Sequence, residues 1–188
     1  MQRKAADAAR QSEERLAHDI LCNHGSDIYT EPMRYKALQK RSSAETQISE
    51  ITGRCKSKKR FGRSISRHAP ARFKEILSRK LGYIGKELNI VNMYSYKASQ
   101  YNHITGEYEK TAIDTRTKMI GTHLVQRDLY SAFLLMCAKT LDKPDKERCS
   151  LMFDQFIKNH NEAIRELLSI NENYPSCMGL KDFKHLAN

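Results

Sequence analysis

No stretch of the chain approaches the roughly 18 consecutive apolar residues that a membrane-spanning helix needs, so a bilayer-embedded protein is not expected. The first residues, Met1-Gln2-Arg3-Lys4, run into polar, helix-like sequence rather than an apolar signal core. A cytoplasmic location is the resulting expectation. The five cysteines, Cys22, Cys55, Cys137, Cys149 and Cys177, are odd in number and include no CxxC spacing. A disulfide framework is therefore not expected, and the thiols should be reduced. No internal repeat is visible. At 188 residues the chain can bury one ordinary core, or one core with a small appendage.

What is present in excess is positive charge, at +11 overall. Residues 34–97 hold 17 Lys/Arg against 4 Asp/Glu, whereas the remainder holds 16 against 18. One third of the chain therefore carries the whole excess. A block of this kind implies a polyanionic partner, because each cation that neutralises a phosphate releases a counterion. DNA or RNA fits better than an acidic membrane surface, since no strong amphipathic anchor accompanies the cations. Within the block, Arg54, Lys56, Lys58, Lys59, Arg60, Arg63 and Arg67 form a run without an acid. The run reads either as a solvated loop or as an arm that orders on nucleic acid. Phe61 and the neighbouring glycines favour contact with a phosphate backbone.

Apolar periodicity predicts helices over residues 3–22, after Pro70 (Phe73, Ile76, Leu77, Leu81), over 126–139, and from an Asp145 N-cap to about residue 171. Residues 26–31 and 88–96 are strand candidates, the first stopped by Pro32. Residues 36–67 are the least ordered in pattern, with a basic loop at 42–68. Residues 99–123 read as an irregular insert, and Pro175 and Gly179 mark a loose tail. Tyr94, Tyr96, Tyr101 and Tyr108 could stack on bases, although aromatics at such positions more often join a core.

Two carboxylates are placed where α/β folds put reactive groups. Glu31 ends the first strand candidate, and Asp128 lies in the first turn of the strongest helix. Carboxylate oxygens suit Mg²⁺, a hard cation that retains several waters. Position alone is weak evidence, since an acid in a first helical turn usually answers the helix dipole.

The wording around these acids adds to the reading. The block Val125-Gln126-Arg127-Asp128-Leu129-Tyr130-Ser131-Ala132-Phe133-Leu134 closely resembles the last conserved block of TnpB-like, OrfB-type insertion-sequence proteins. The block Phe61-Gly62-Arg63-Ser64-Ile65-Ser66-Arg67-His68-Ala69-Pro70-Ala71-Arg72-Phe73 resembles a second family segment. Ile28-Tyr29-Thr30-Glu31, followed by Tyr35-Lys36-Ala37-Leu38-Gln39-Lys40, resembles a third. The three lie in the family's order over roughly residues 15 to 140.

The resemblance implies an α/β fold, an incomplete RNase H-like (RuvC-type) sheet flanked by helices, over residues 1–140. A helical extension and tail would occupy 141–188. It further implies a metal-dependent DNA endonuclease of transposon origin, with Glu31 and Asp128 as catalytic, metal-binding acids, Mg²⁺ as cofactor, and DNA with a guide RNA as partners. The first Asp of the family's three acids has no match: Asp7 and Asp19 lie inside the first predicted helix. The chain therefore resembles the C-terminal part of a longer protein, with an exposed sheet edge and no nuclease activity by itself. The alternative is a non-catalytic nucleic-acid-binding module on the same scaffold. Family members carry a four-cysteine zinc ribbon where this chain has residues 99–123, which contain no cysteine. Zinc is not expected there, and His103 and His123 read as ordinary loop histidines.

Overall fold

A computed structural model describes residues 2–38, 48–55, 65, 68–112, 114–170 and 178–186. The chain is mixed α/β, and among the described residues every sheet is two-stranded. It divides into two compact units. One comprises Met1–Ile28 with Pro32–Leu88, the other Tyr29–Glu31 with Asn89–Asn188.

The first unit is built on a pair of packed long helices, with a single-turn helix between them in the chain. Helix α1 spans Gln2–Asn23, and α2, a single turn, spans Tyr35–Leu38. Helix α3, Pro70–Tyr83, begins with a proline where its missing N–H costs nothing. Its apolar stripe falls where the periodicity placed it. Ile76, Leu77 and Leu81 are buried with Ala17 of α1, and Leu21, Ile28, Phe73 and Leu88 pack around them. Arg72 grips Glu13 across this pair with two parallel hydrogen bonds, Nε to Oε2 and Nη2 to Oε1, both 2.7 Å. The arginine keeps the Glu13 carboxyl below the ordinary range. Arg79 and Lys80 both reach Glu14. These partly exposed pairs join α3 to α1 but add little stability.

The second unit holds the larger core. Strand β1, Tyr29–Thr30, pairs in parallel with β2, Asn89–Ile90, in the register Tyr29 to Asn89 and Thr30 to Ile90. The Val91 N–H extends the pairing to the Thr30 carbonyl at 3.0 Å. The second strand is far shorter than the expected 88–96. Asn92 turns the chain into a short helix α4, Met93–Tyr96, by accepting the Tyr94 N–H on its side-chain oxygen at 3.1 Å.

The insert expected to be irregular contains a hairpin instead. Strand β3, Thr117–Ile120, pairs antiparallel with β4, His123–Gln126, around Gly121 at φ +59°. A two-residue hairpin favours glycine where φ is positive. The sequence concealed this strand because its polarity is inverted. Lys118 is buried, its Nζ donating to the Gln100 carbonyl at 3.1 Å, while Met119 is exposed.

Helix α5, Arg127–Met136, follows directly from β4. It ends three residues earlier than expected because Ala138–Thr140 (β5) turns back on Lys143–Pro144 (β6). Helix α6, Lys146–Ile170, starts as expected: the Asp145 Oδ1 accepts the N–H groups of Glu147 and Arg148, both at 3.1 Å. Although read from the sequence as part of an extension beyond residue 140, α6 shares its core with α5. Phe133, Leu134, Cys137, Cys149 and Phe153 are buried together with Val91, Tyr96, Ile120, Val125 and Tyr130. Cys22 and Cys55 are exposed, and all four described cysteines are free.

The end of the described chain is not loose. Leu180–Leu186 forms a 3₁₀ helix whose Leu180 and Phe183 are buried against Ile164 of α6. The Thr117 hydroxyl ties it to β3 by donating to the Asp182 Oδ2 at 2.9 Å. Gly179 permits this docking. Its φ is +68°, and an added Cβ would fall 2.6 Å from the Arg116 Cβ. Left-handed backbone and overpacking together set the expected cost of Gly179→Ala at about 2 kcal/mol. Urea denaturation of the two proteins checks this, and an unchanged midpoint would mean the segment docks without that close approach.

Candidate metal-binding acids and nucleic-acid contacts

Glu31 follows directly on β1, and Asp128 occupies the first turn of α5. Helix α5 packs against β1, so residues 97 positions apart in sequence come to the same place in the second unit. Their side chains are within electrostatic reach. The Glu31 carboxyl is held above its ordinary value of 4.5, first by burial and then by the negative charge of Asp128. Glu31 is half-buried and Asp128 is exposed. The pair is thus an acidic spot open to solvent on one side. Among the described residues no three His, Cys, Asp or Glu groups come together as a metal-holding cluster.

A further contact fixes Asp128. The Gln126 side chain caps α5, its Oε1 accepting the Leu129 N–H at 2.7 Å, while its Nε2 donates to the Asp128 Oδ2 at 3.3 Å. Gln126 is itself held from α6: its backbone N–H donates to the His160 Nε2 at 3.0 Å. The His160 Nδ1 lies 2.9 Å from the Asn161 Oδ1. An imidazole that accepts at Nε2 carries its proton on Nδ1, so Asn161 selects the tautomer Gln126 requires. Burial lowers the His160 pKa and favours this neutral form. Neither Gln126 nor His160 drew attention as a site residue in the sequence. The available signal is its spacing, seven residues after Phe153 and four before Ile164, which puts an imidazole in line with the apolar side of the helix.

The two histidines of the former insert differ in setting. His123 is exposed, with its ring 5.8 Å from that of Phe153. His103 is a core residue, 1% exposed, rather than a loop histidine. The Tyr130 hydroxyl lies 2.8 Å from its Nδ1 and 3.1 Å from its backbone nitrogen, where it accepts the N–H. Its ring packs on Phe153 at 4.6 Å, and burial lowers its pKa.

Of the basic run, only Arg54 lies within the described residues, and it is exposed. Lys56, Lys58, Lys59, Arg60, Arg63 and Arg67 lie outside them. The four tyrosines divide. Tyr96 is fully buried, donating its hydroxyl to the Leu134 carbonyl at 2.6 Å, and Tyr101 is buried against Tyr108. Neither can stack on a base. Tyr94 and Tyr108 are exposed. A groove of about 400 Å³ between α5 and α6 is lined mainly by apolar side chains, including Leu129, Met136 and Met152, with His160 at its wall. Among the described residues, no helix is long and apolar enough to cross a membrane.

Compared with known proteins, the chain matches no protein-family model and no curated protein.

Proposed function

We propose that this chain carries part of a RuvC-like, divalent-metal site directed at DNA, of the kind found in TnpB-like transposon nucleases. In this reading Glu31 and Asp128 are the metal-holding acids of an incomplete RNase H-like domain. The observation that carries it is the nearness of these two acids, with the Glu31 carboxyl held above its ordinary value first by burial and then by the charge of Asp128. Mutual repulsion of two carboxylates at a half-open surface is the electrostatic strain that a bound cation relieves. Both supply hard oxygen ligands suited to Mg²⁺. A metal held there would polarise a phosphodiester and lower the pKa of a water. The parallel pairing of β1 with β2, with an acid at the strand end and a helix starting beside it, agrees with the proposed scaffold.

The basic run that begins at Arg54 supplies phosphate contacts in this reading, with DNA as target and a guide RNA as possible second ligand. Two acids do not make a complete two-metal site, so the chain binds nucleic acid without cutting it. Electrophoretic shift with duplex DNA and RNA should show binding without sequence preference. Affinity should fall roughly 10³-fold or more between 50 and 200 mM salt, as about six or more phosphate contacts require. Absence of binding at low salt would remove the reading. Mg²⁺-dependent cleavage by the purified chain, abolished by Asp128→Ala, would show instead that its site is complete.

A further inference from the structure

We propose that Gln126 and His160 are positioning residues that hold the Asp128 carboxylate in place for a divalent cation. This inference rests on the reading of Glu31 and Asp128 as cation ligands and adds the group that orients one of them.

The geometry is a relay of three contacts across three elements. His160 of α6 accepts the Gln126 backbone N–H at 3.0 Å and so fixes the last residue of β4. From that fixed backbone the Gln126 amide divides its two ends. The oxygen takes the Leu129 N–H at 2.7 Å, and the nitrogen reaches the Asp128 Oδ2 at 3.3 Å. Asp128 is otherwise exposed, and a surface carboxylate on a helix would sample several rotamers. An amide donor on Oδ2 restricts that freedom and leaves Oδ1 without a hydrogen bond among the described residues. Outer partners of this kind orient a ligand, and their loss costs roughly ten- to hundredfold in metal affinity.

His160 fits the role because its ring is enclosed by its neighbours. It is 3% exposed, and its ring packs between Phe156 at 5.7 Å and Phe183 at 5.3 Å. The Asn161 amide oxygen at its Nδ1 keeps Nε2 as acceptor. A phenylalanine or leucine at position 160 would fill the same apolar stripe more favourably. A buried imidazole there is explained by the N–H it accepts.

The test uses Mn²⁺ as a paramagnetic probe on the full chain, reading the broadening of the Glu31 and Asp128 backbone amide resonances during titration. Asp128→Asn should abolish the broadening. Gln126→Ser keeps a helix cap for the Leu129 N–H but removes the donor to Asp128. Its Mn²⁺ affinity should fall roughly tenfold or more, with little change in thermal midpoint. His160→Phe should lower affinity similarly, and His160→Gln, whose amide oxygen can accept the Gln126 N–H, should recover most of it. Wild-type affinity in Gln126→Ser, with binding still lost in Asp128→Asn, would overturn the positioning role alone. No broadening in the wild-type chain, or its persistence in Asp128→Asn, would overturn the carboxylate-pair reading and this inference with it.

Discussion

Phe133→Ala should lower the unfolding free energy of the second unit by about 3–5 kcal/mol, the range for deleting a buried phenyl ring and leaving a cavity. Phe133 is 3% exposed and stands at the centre of an aromatic cluster. Its ring stacks on Phe156 at 4.5 Å and meets those of Tyr130, His103 and Phe153 at 6.1 to 6.2 Å. These neighbours come from α5, α6 and the segment before β3, and none can close the gap without leaving its own partners. Tyr130 and His103 are bound to each other, which resists collapse further. Urea unfolding followed by tyrosine fluorescence checks the value. A loss below about 1 kcal/mol would mean that the cluster relaxes freely and does not organise the unit.

Glu31→Gln should do two opposite things: weaken divalent-cation binding severely and make the metal-free chain more stable at neutral pH. In the proposed reading Glu31 is a direct ligand, whose loss should exceed the roughly ten- to hundredfold cost of losing an outer partner. The stability effect follows from the raised carboxyl pKa of Glu31, caused by burial and then by Asp128. A group whose folded pKa lies above its unfolded one favours folding while it is protonated, below the unfolded value near 4.5. That contribution is lost as pH rises through the folded pKa. Above that range Glu31 carries its charge against burial first and the nearby negative charge of Asp128 second, a cost that the neutral amide removes. The thermal midpoint of Glu31→Gln should therefore exceed that of wild type at pH 7, with the difference shrinking as pH falls toward 4.5 and below. A mutant less stable than wild type at pH 7 without metal would show that the charged Glu31 is held by favourable contacts rather than opposed by burial and Asp128.

The elements legible in the sequence are those that follow a single rule. Helices α1, α3, α5 and α6 carry apolar residues at helical spacing and were placed to within a few residues, and Asp145 marked its helix start. Where two rules compete, the pattern misleads. Lys118 and Met119 exchange the faces expected of them, because the lysine amine finds the Gln100 carbonyl inside the fold. Residues 88–96 have the composition of a strand, but the Asn92 side chain captures an N–H and starts a helix. His103 looked like a loop residue because its partner, Tyr130, lies 27 positions away. The two acids could be named from the wording around them, whereas the Gln126 and His160 contacts required coordinates. A backbone N–H meeting an imidazole 34 positions later leaves no periodic trace.

The three residues Tyr29–Glu31 belong to the second unit, although the chain on either side of them belongs to the first. The acidic spot is therefore a composite of distant chain, closed only when a three-residue visitor takes its place beside Asn89 and Ile90. Closing so wide a loop carries an entropic charge that local contacts cannot refund early in folding. The pair is complete only where β1 lies beside β2, so it depends on contacts between parts of the chain far apart in sequence.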